Sequence, residues 1–168
     1  PFFCASVALA IDGDIVAGAV FDPLRDELFT AEKGGGAHLN GRRLQVTAAS
    51  RLIESLVITG FPYDLHEKLD ERLRPFNRVM AVARAVRRDG AAALDLCYVA
   101  AGRADGFWEV ILKPWDMHAG RLLVEEAGGK ATRLDGTPLG LGPDGCVATN
   151  GRMQDALVLA LREEKPAL

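Results

Sequence analysis

Three places in the sequence set a reactive side chain, or bare backbone, where chemistry can use it. The first is Asp116, in the run Lys113-Pro114-Trp115-Asp116-Met117-His118. Its carboxylate stands where a helix begins, just behind an aromatic side chain. It can cap that helix by accepting its free N–H groups, or ligate a metal ion. The second is Glu109, the only charged residue in the strand-like run from Ala104 to Ile111 other than Asp105 at its start. A carboxylate held there either pairs with a cation such as Arg88 or Lys113, or faces a site. The third is Gly90-Ala91-Ala92, at the start of an apolar helix, where unpaired backbone N–H groups and the helix dipole favour an anion. His118 falls in the first turn after Asp116 and reads as a packed, hydrogen-bonded histidine before it reads as a ligand. No Cys/His spacing suits zinc, and no Gly-x-Ser-x-Gly offers a serine nucleophile.

The elements that position these groups are legible from pattern. Pro114 blocks any helix arriving from upstream. Ala119, Leu122, Leu123 and Ala127 then mark one helical face, Arg121 and Glu125 pair at i, i+4, and Gly128-Gly129 end the helix. Ala91 to Ala101 reads as a core helix whose one polar position is Asp95, and Ala104 to Ile111 as a strand. Upstream, Phe3–Ile11, Ile15–Phe21 and Glu27–Thr30 read as strands joined by tight turns. Asn40-Gly41 marks a further hairpin ahead of Leu44 and Val46, so this part is an antiparallel meander. Gly34-Gly35-Gly36 lacks the Lys-Ser/Thr ending and the following helix of a phosphate loop, so it reads as a hairpin. Leu56–Thr59 is a strand and Gly60–Tyr63 a loop. Glu67–Ala81 is a surface helix that Pro75 should kink or split. Ala83–Val86, Lys130–Arg133 and Cys146–Thr149 are strands, and Met153–Arg162 is a closing helix. No repeat and no linker divides the chain, which reads as one domain over 1–168 and a layered α/β sandwich.

Hydrophobic residues make up 49% of the chain and charged ones 26%, ordinary for a globular protein. Twenty basic and twenty-three acidic residues leave a net charge of −3 with no basic run, so composition gives nucleic-acid binding no support. Cys4, Cys97 and Cys146 lie in apolar surroundings and read as reduced thiols of a cytoplasmic protein. No apolar run reaches the length of a membrane span. The chain opens on Pro1 and runs at once into a strand, which sets the expectation that it was cut from a longer one.

Trp115-Asp116, then Ala119-Gly120, Leu122-Leu123-Val124 and Glu126-Ala127-Gly128-Gly129, resembles the C-terminal signature of the inositol monophosphatase family. Phe2 to Ala8, and Lys33-Gly34-x-Gly36-Ala37 followed by Asn40-Gly41, resemble the same family. The resemblance implies the α-β-α-β-α sandwich of the inositol monophosphatase and fructose bisphosphatase type, with 1–168 as a C-terminal portion and the N-terminal part missing. It implies a Mg²⁺-dependent, lithium-sensitive phosphomonoesterase for inositol monophosphate or a similar small polyol phosphate. It makes Asp116 a metal ligand, Glu109 an acceptor for substrate hydroxyls, and Gly90, Ala91 and Ala92 a grip on substrate. Where family members carry Ser or Thr after the glycine this chain has Ala91, and Asp89 adds a negative charge. The family's upstream glutamate and Asp-Pro-x-Asp-Gly-Thr motif are absent, so no water-activating residue is expected here. The chain alone should bind Mg²⁺ weakly and be inactive. Its first strand, apolar on both sides as for burial on both faces, should be short of cover on one of them. The family also implies a cytoplasmic homodimer whose partners are small phosphorylated polyols or sugars, rather than nucleic acid or membrane. Other readings are a phosphatase for histidinol phosphate, fructose bisphosphate or a 3′-phosphonucleotide, and a non-catalytic regulatory or binding member.

Overall fold

Two five-stranded sheets face each other across a pair of helices in the computed structural model, which describes residues 1–162. The first sheet is the meander: β1 (Ala5–Ile11), β2 (Asp14–Asp22), β3 (Glu27–Glu32), β4 (Gly36–Leu39) and β5 (Arg42–Arg43), each antiparallel to the next. Asp12 and Gly13, at φ 52° and 89°, make the two-residue turn whose twist matches the strands it joins. Leu44 and Val46, expected in a strand, lie beyond β5 and pack on the core as irregular chain.

The second sheet forms from β6 (Leu56–Thr59), β7 (Ala85–Arg87), β8 (Gly106–Leu112), β9 (Lys130–Thr132) and β10 (Asp144–Thr149), in the order β7-β6-β8-β10-β9. Here β6 runs parallel to both β7 and β8, while β10 is antiparallel to β8 and β9. The parallel pairs require crossovers, which α1 (Leu69–Val82) and α2 (Ala92–Ala100) help to make. Pro75 lies inside α1, which runs through it as one helix and is not split. The loss is a single N–H in a helix that packs on α4 (Gln154–Arg162).

Helices α2 and α3 (Pro114–Glu126) fill the space between the sheets. Leu94, Leu96, Val99, Met117 and Leu123 are fully buried there, with Val20 and Phe29 from one sheet and Phe107 from the other. The approach is close: a Cβ on Gly18 of β2 would stand 2.9 Å from Ala119 Cα. A second core of Val57, Trp108, Val147 and Leu157 lies under α1 and α4 on the far side of the second sheet. The layers are thus β-α-β-α. The outer face of the first sheet carries no helix among the described residues. The first strand is thus short of cover on one face, as expected from its sequence. It is an edge strand, with Val7 69% and Leu9 53% exposed, and only its other face meets α3.

Candidate active site

Glu109 sits on β8 with its neighbour Phe107 in the inner core and Trp108 in the outer one, so it faces the helical layer. Gly60, just past the end of β6, lies directly against it. A methyl group there would overlap the Glu109 carboxylate. Neither Arg88 nor Lys113 comes within ion-pair distance of Glu109, which removes that structural reading. Burial pushes its carboxyl up to about 7, the Asp116 charge adds to the rise, and the Arg88 charge opposes it.

Asp116 is not the N-cap of α3. Pro114 takes the first helical position, where its missing N–H costs nothing, and the cap moves back to Lys113. Asp116 therefore stands at the third position, and its Oδ2 accepts the Lys113 backbone N–H at 2.9 Å. Oδ1 has no hydrogen-bond partner among the described residues. His118, two residues on, is buried with Nε2 3.0 Å from the Leu141 carbonyl, and it does not line the cavity.

The start of α2 is the opposite case. Its N-cap is Ala91, with Gly90 before it at φ 104°, and no side chain caps the first turn. The N–H groups of that turn are left for whatever occupies the space in front of them. That space is a cavity of about 340 Å³ lined by Gly90, Ala91, Ala92, Glu109 and Asp116, with Arg88 and Phe61 at its wall. A second hollow of about 310 Å³ shares Gly90, Ala91, Ala92 and Asp116 and is closed by Phe3, Cys4 and Trp115. All five residues picked out in the sequence thus meet around one cavity.

Sequence reading took Gly60-Phe61 only as loop and Arg88 only as a possible partner for Glu109, and it passed over the state of Asp95. The signal for the first two was the order strand–helix–strand–helix–strand from Leu56 to Leu112. That order implies parallel strands, whose C-terminal ends gather the loops that bind ligands. Asp95, fully buried in the first turn of α2, has no partner for either carboxylate oxygen among the described residues. Burial raises its carboxyl to about 8, with help from Asp89 and Glu109.

A divalent ion such as Mg²⁺ needs about six oxygen ligands. Asp116 offers one carboxylate, and the described residues hold no group of three or more His, Cys, Asp or Glu able to share an ion. The arrangement can cradle an anion on the α2 N–H groups, present hydroxyl partners at Glu109, and contribute one metal ligand.

The inositol-1-monophosphatase of Mesorhizobium japonicum is 45% identical over 163 residues, 97% of this chain and 61% of that protein. The Nus factor SuhB of Escherichia coli K12 is 42% identical over 164 residues, covering 98% and 61%. The solved structure of inositol monophosphatase from Anabaena (Nostoc) superposes with a TM-score of 0.93 at 45% identity, over 99% of this chain and 66% of that one. The chain therefore spans a little under two thirds of the length of these relatives. The family model for inositol monophosphatases matches residues 1–167, and with the shared sandwich this establishes that the chain belongs to the inositol monophosphatase family.

Proposed function

We propose that the complete protein is a Mg²⁺-dependent phosphomonoesterase for inositol monophosphate or a similar small polyol phosphate, with 1–168 as a single domain forming its C-terminal portion. The observation that carries this reading is the meeting of an uncapped helix start, a free carboxylate oxygen and a partner-free Glu109 around one cavity. The N–H groups at the start of α2, presented by Gly90, Ala91 and Ala92, hold phosphate oxygens. Glu109, with its carboxyl up to about 7, both accepts from and donates to polyol hydroxyls near neutral pH. Asp116 gives its free oxygen to the ion, whose other ligands come from outside the described residues. When bound, such an ion neutralises charge on the phosphoryl oxygens. The chain 1–168 alone is accordingly inactive. The reading extends to a homodimer in the cytoplasm.

A non-catalytic binding or regulatory role has one observation in its favour, the naming of the E. coli relative as a Nus factor. Phosphate release from inositol 1-phosphate by the full-length protein across a Mg²⁺ titration separates the two. Metal-dependent turnover supports the enzyme. No release from any polyol phosphate returns the family fold to a binding role.

A further inference from the structure

The C-terminal ends of three parallel strands form one wall of the cavity, and their order fixes what a ligand meets along it. The strands lie side by side as β8, β6, β7. The register pairs Thr59 with Trp108 and Ile58 with Arg87, so one residue further Gly60 stands beside Glu109 and Arg88 beside Thr59. The close contact between Gly60 and Glu109 agrees with that extrapolation. Across the wall the order is Glu109, then Gly60-Phe61, then Arg88. Two strand spacings put the Arg88 backbone roughly 10 Å from that of Glu109.

Arg88 is held but not neutralised. Its guanidinium carbon lies 5.4 Å from the centre of the Phe61 ring, and Phe61 is braced in turn by Phe76 of α1 at 5.7 Å. Stacking covers one face of the planar group and leaves its edge N–H donors free, the geometry that suits carboxylates and phosphates. No carboxylate among the described residues forms an ion pair with it. A cation fixed in a ligand cavity beyond ion-pair distance of Glu109 and Asp116 keeps its donors for an anion on the ligand.

We propose that Arg88 reads a second anionic group on the substrate, a phosphate or carboxylate carried on the far side of a six-carbon polyol or sugar from the scissile phosphate. The placement rests on the function proposed above, with the first phosphate at the start of α2 and Asp116 and the ring hydroxyls on Glu109. The roughly 10 Å from Glu109 to Arg88 is then spanned by the remainder of the ring, its substituent and the arginine side chain. A neutral polyol monophosphate leaves Arg88 facing water.

Glucose 1-phosphate, glucose 1,6-bisphosphate and glucuronic acid 1-phosphate differ only in that second group. The test compares their dissociation constants by calorimetry, and their kcat/KM values, for the full-length protein and for Arg88→Met and Arg88→Lys. The expected result is a preference of about tenfold for a doubly anionic ligand over glucose 1-phosphate. It is abolished in Arg88→Met, which keeps apolar contact with Phe61, and largely kept in Arg88→Lys. The bisphosphate and the uronate show which anion the site takes. Equal binding of all three by the unaltered protein overturns the proposal. So does a preference that survives Arg88→Met, or a loss in Arg88→Met that is equal for all three, which marks Arg88 as a clip for Phe61. Binding ratios that follow the expectation without any phosphate release leave the Arg88 site standing and remove the phosphatase reading instead.

Discussion

Helices α2 and α3 begin beside the same cavity, each with an aspartate in its first turn, and they treat that aspartate in opposite ways. In α3, Asp116 closes the helix start by accepting the Lys113 N–H and keeps one oxygen at the cavity. In α2, Ala91 caps nothing, and Asp95 is fully buried with both oxygens unpaired. One helix start is therefore closed and presents a carboxylate, which suits a cation. The other is open and presents N–H groups, which suits an anion. A phosphomonoester with a metal counter-ion needs both kinds of partner. Two helix starts of unlike chemistry supply them where two alike could not.

The contrast can be broken from either side. In the full-length protein Asp116→Asn should lower Mg²⁺-dependent phosphate release on the order of 100-fold. It should leave the melting temperature nearly unchanged, since an amide oxygen still accepts the Lys113 N–H. Turnover at the level of the unaltered protein throughout a Mg²⁺ titration would reduce Asp116 to a helix-closing residue. Asp95→Asn tests the buried partner. The native carboxyl keeps its proton to about pH 8, whereas the unfolded chain loses it near the ordinary aspartate value of 3.8. The folded state thus binds more protons across that window, and stability falls as pH rises through it. Denaturant titrations at pH 5 and pH 9 should show the variant gaining on the order of 4 kcal/mol relative to the parent over that interval. A difference that does not move with pH means Asp95 has a donor outside the described residues.

Ala91→Asp would make the start of α2 resemble that of α3. Its own carboxylate would cap the free N–H groups, stabilising the helix by about 1 kcal/mol and raising KM for a phosphate ester about tenfold by occupying the anion's place. The two effects run in opposite directions in one variant, so a melting curve and a KM together decide it. The smallest change is expected from Glu109→Gln. The ratio of kcat/KM for a polyol phosphate over an aryl phosphate should fall about threefold to fivefold. An unchanged ratio makes Glu109 structural.

Much of this arrangement could be read without coordinates. The apolar spacing in α3, the near-absence of polar residues in α2 and the glycine and asparagine turns are local signals, and they placed Asp116, Glu109 and Gly90–Ala92 on the right elements. What failed was set by neighbours distant in sequence or by competition for one position. Asp116 was displaced from the cap because Pro114 took the first helical place. The missing ion pair at Glu109 depends on where Arg88 and Lys113 stand after three strands have paired. Gly34 and Gly36 read correctly as a hairpin, yet their N–H groups do bind an anion: the Glu126 carboxylate, at 2.7 and 2.8 Å.

The contact between Gly60 and Glu109 has a consequence for how this cavity can drift over evolutionary time. Because a Cβ at position 60 would overlap the Glu109 carboxylate where it now lies, the glutamate on β8 holds its present place through the glycine that follows β6. A side chain at position 60 would make the Glu109 carboxylate swing away from its place in the cavity. Among related sequences a side chain at the first should accompany a shorter residue at the second, and the pair should be inherited together or replaced together. A lineage that exchanged the glutamate for a smaller group would lose its hydroxyl partner and gain room for a side chain grown from the end of β6. A change of substrate would then need two linked substitutions.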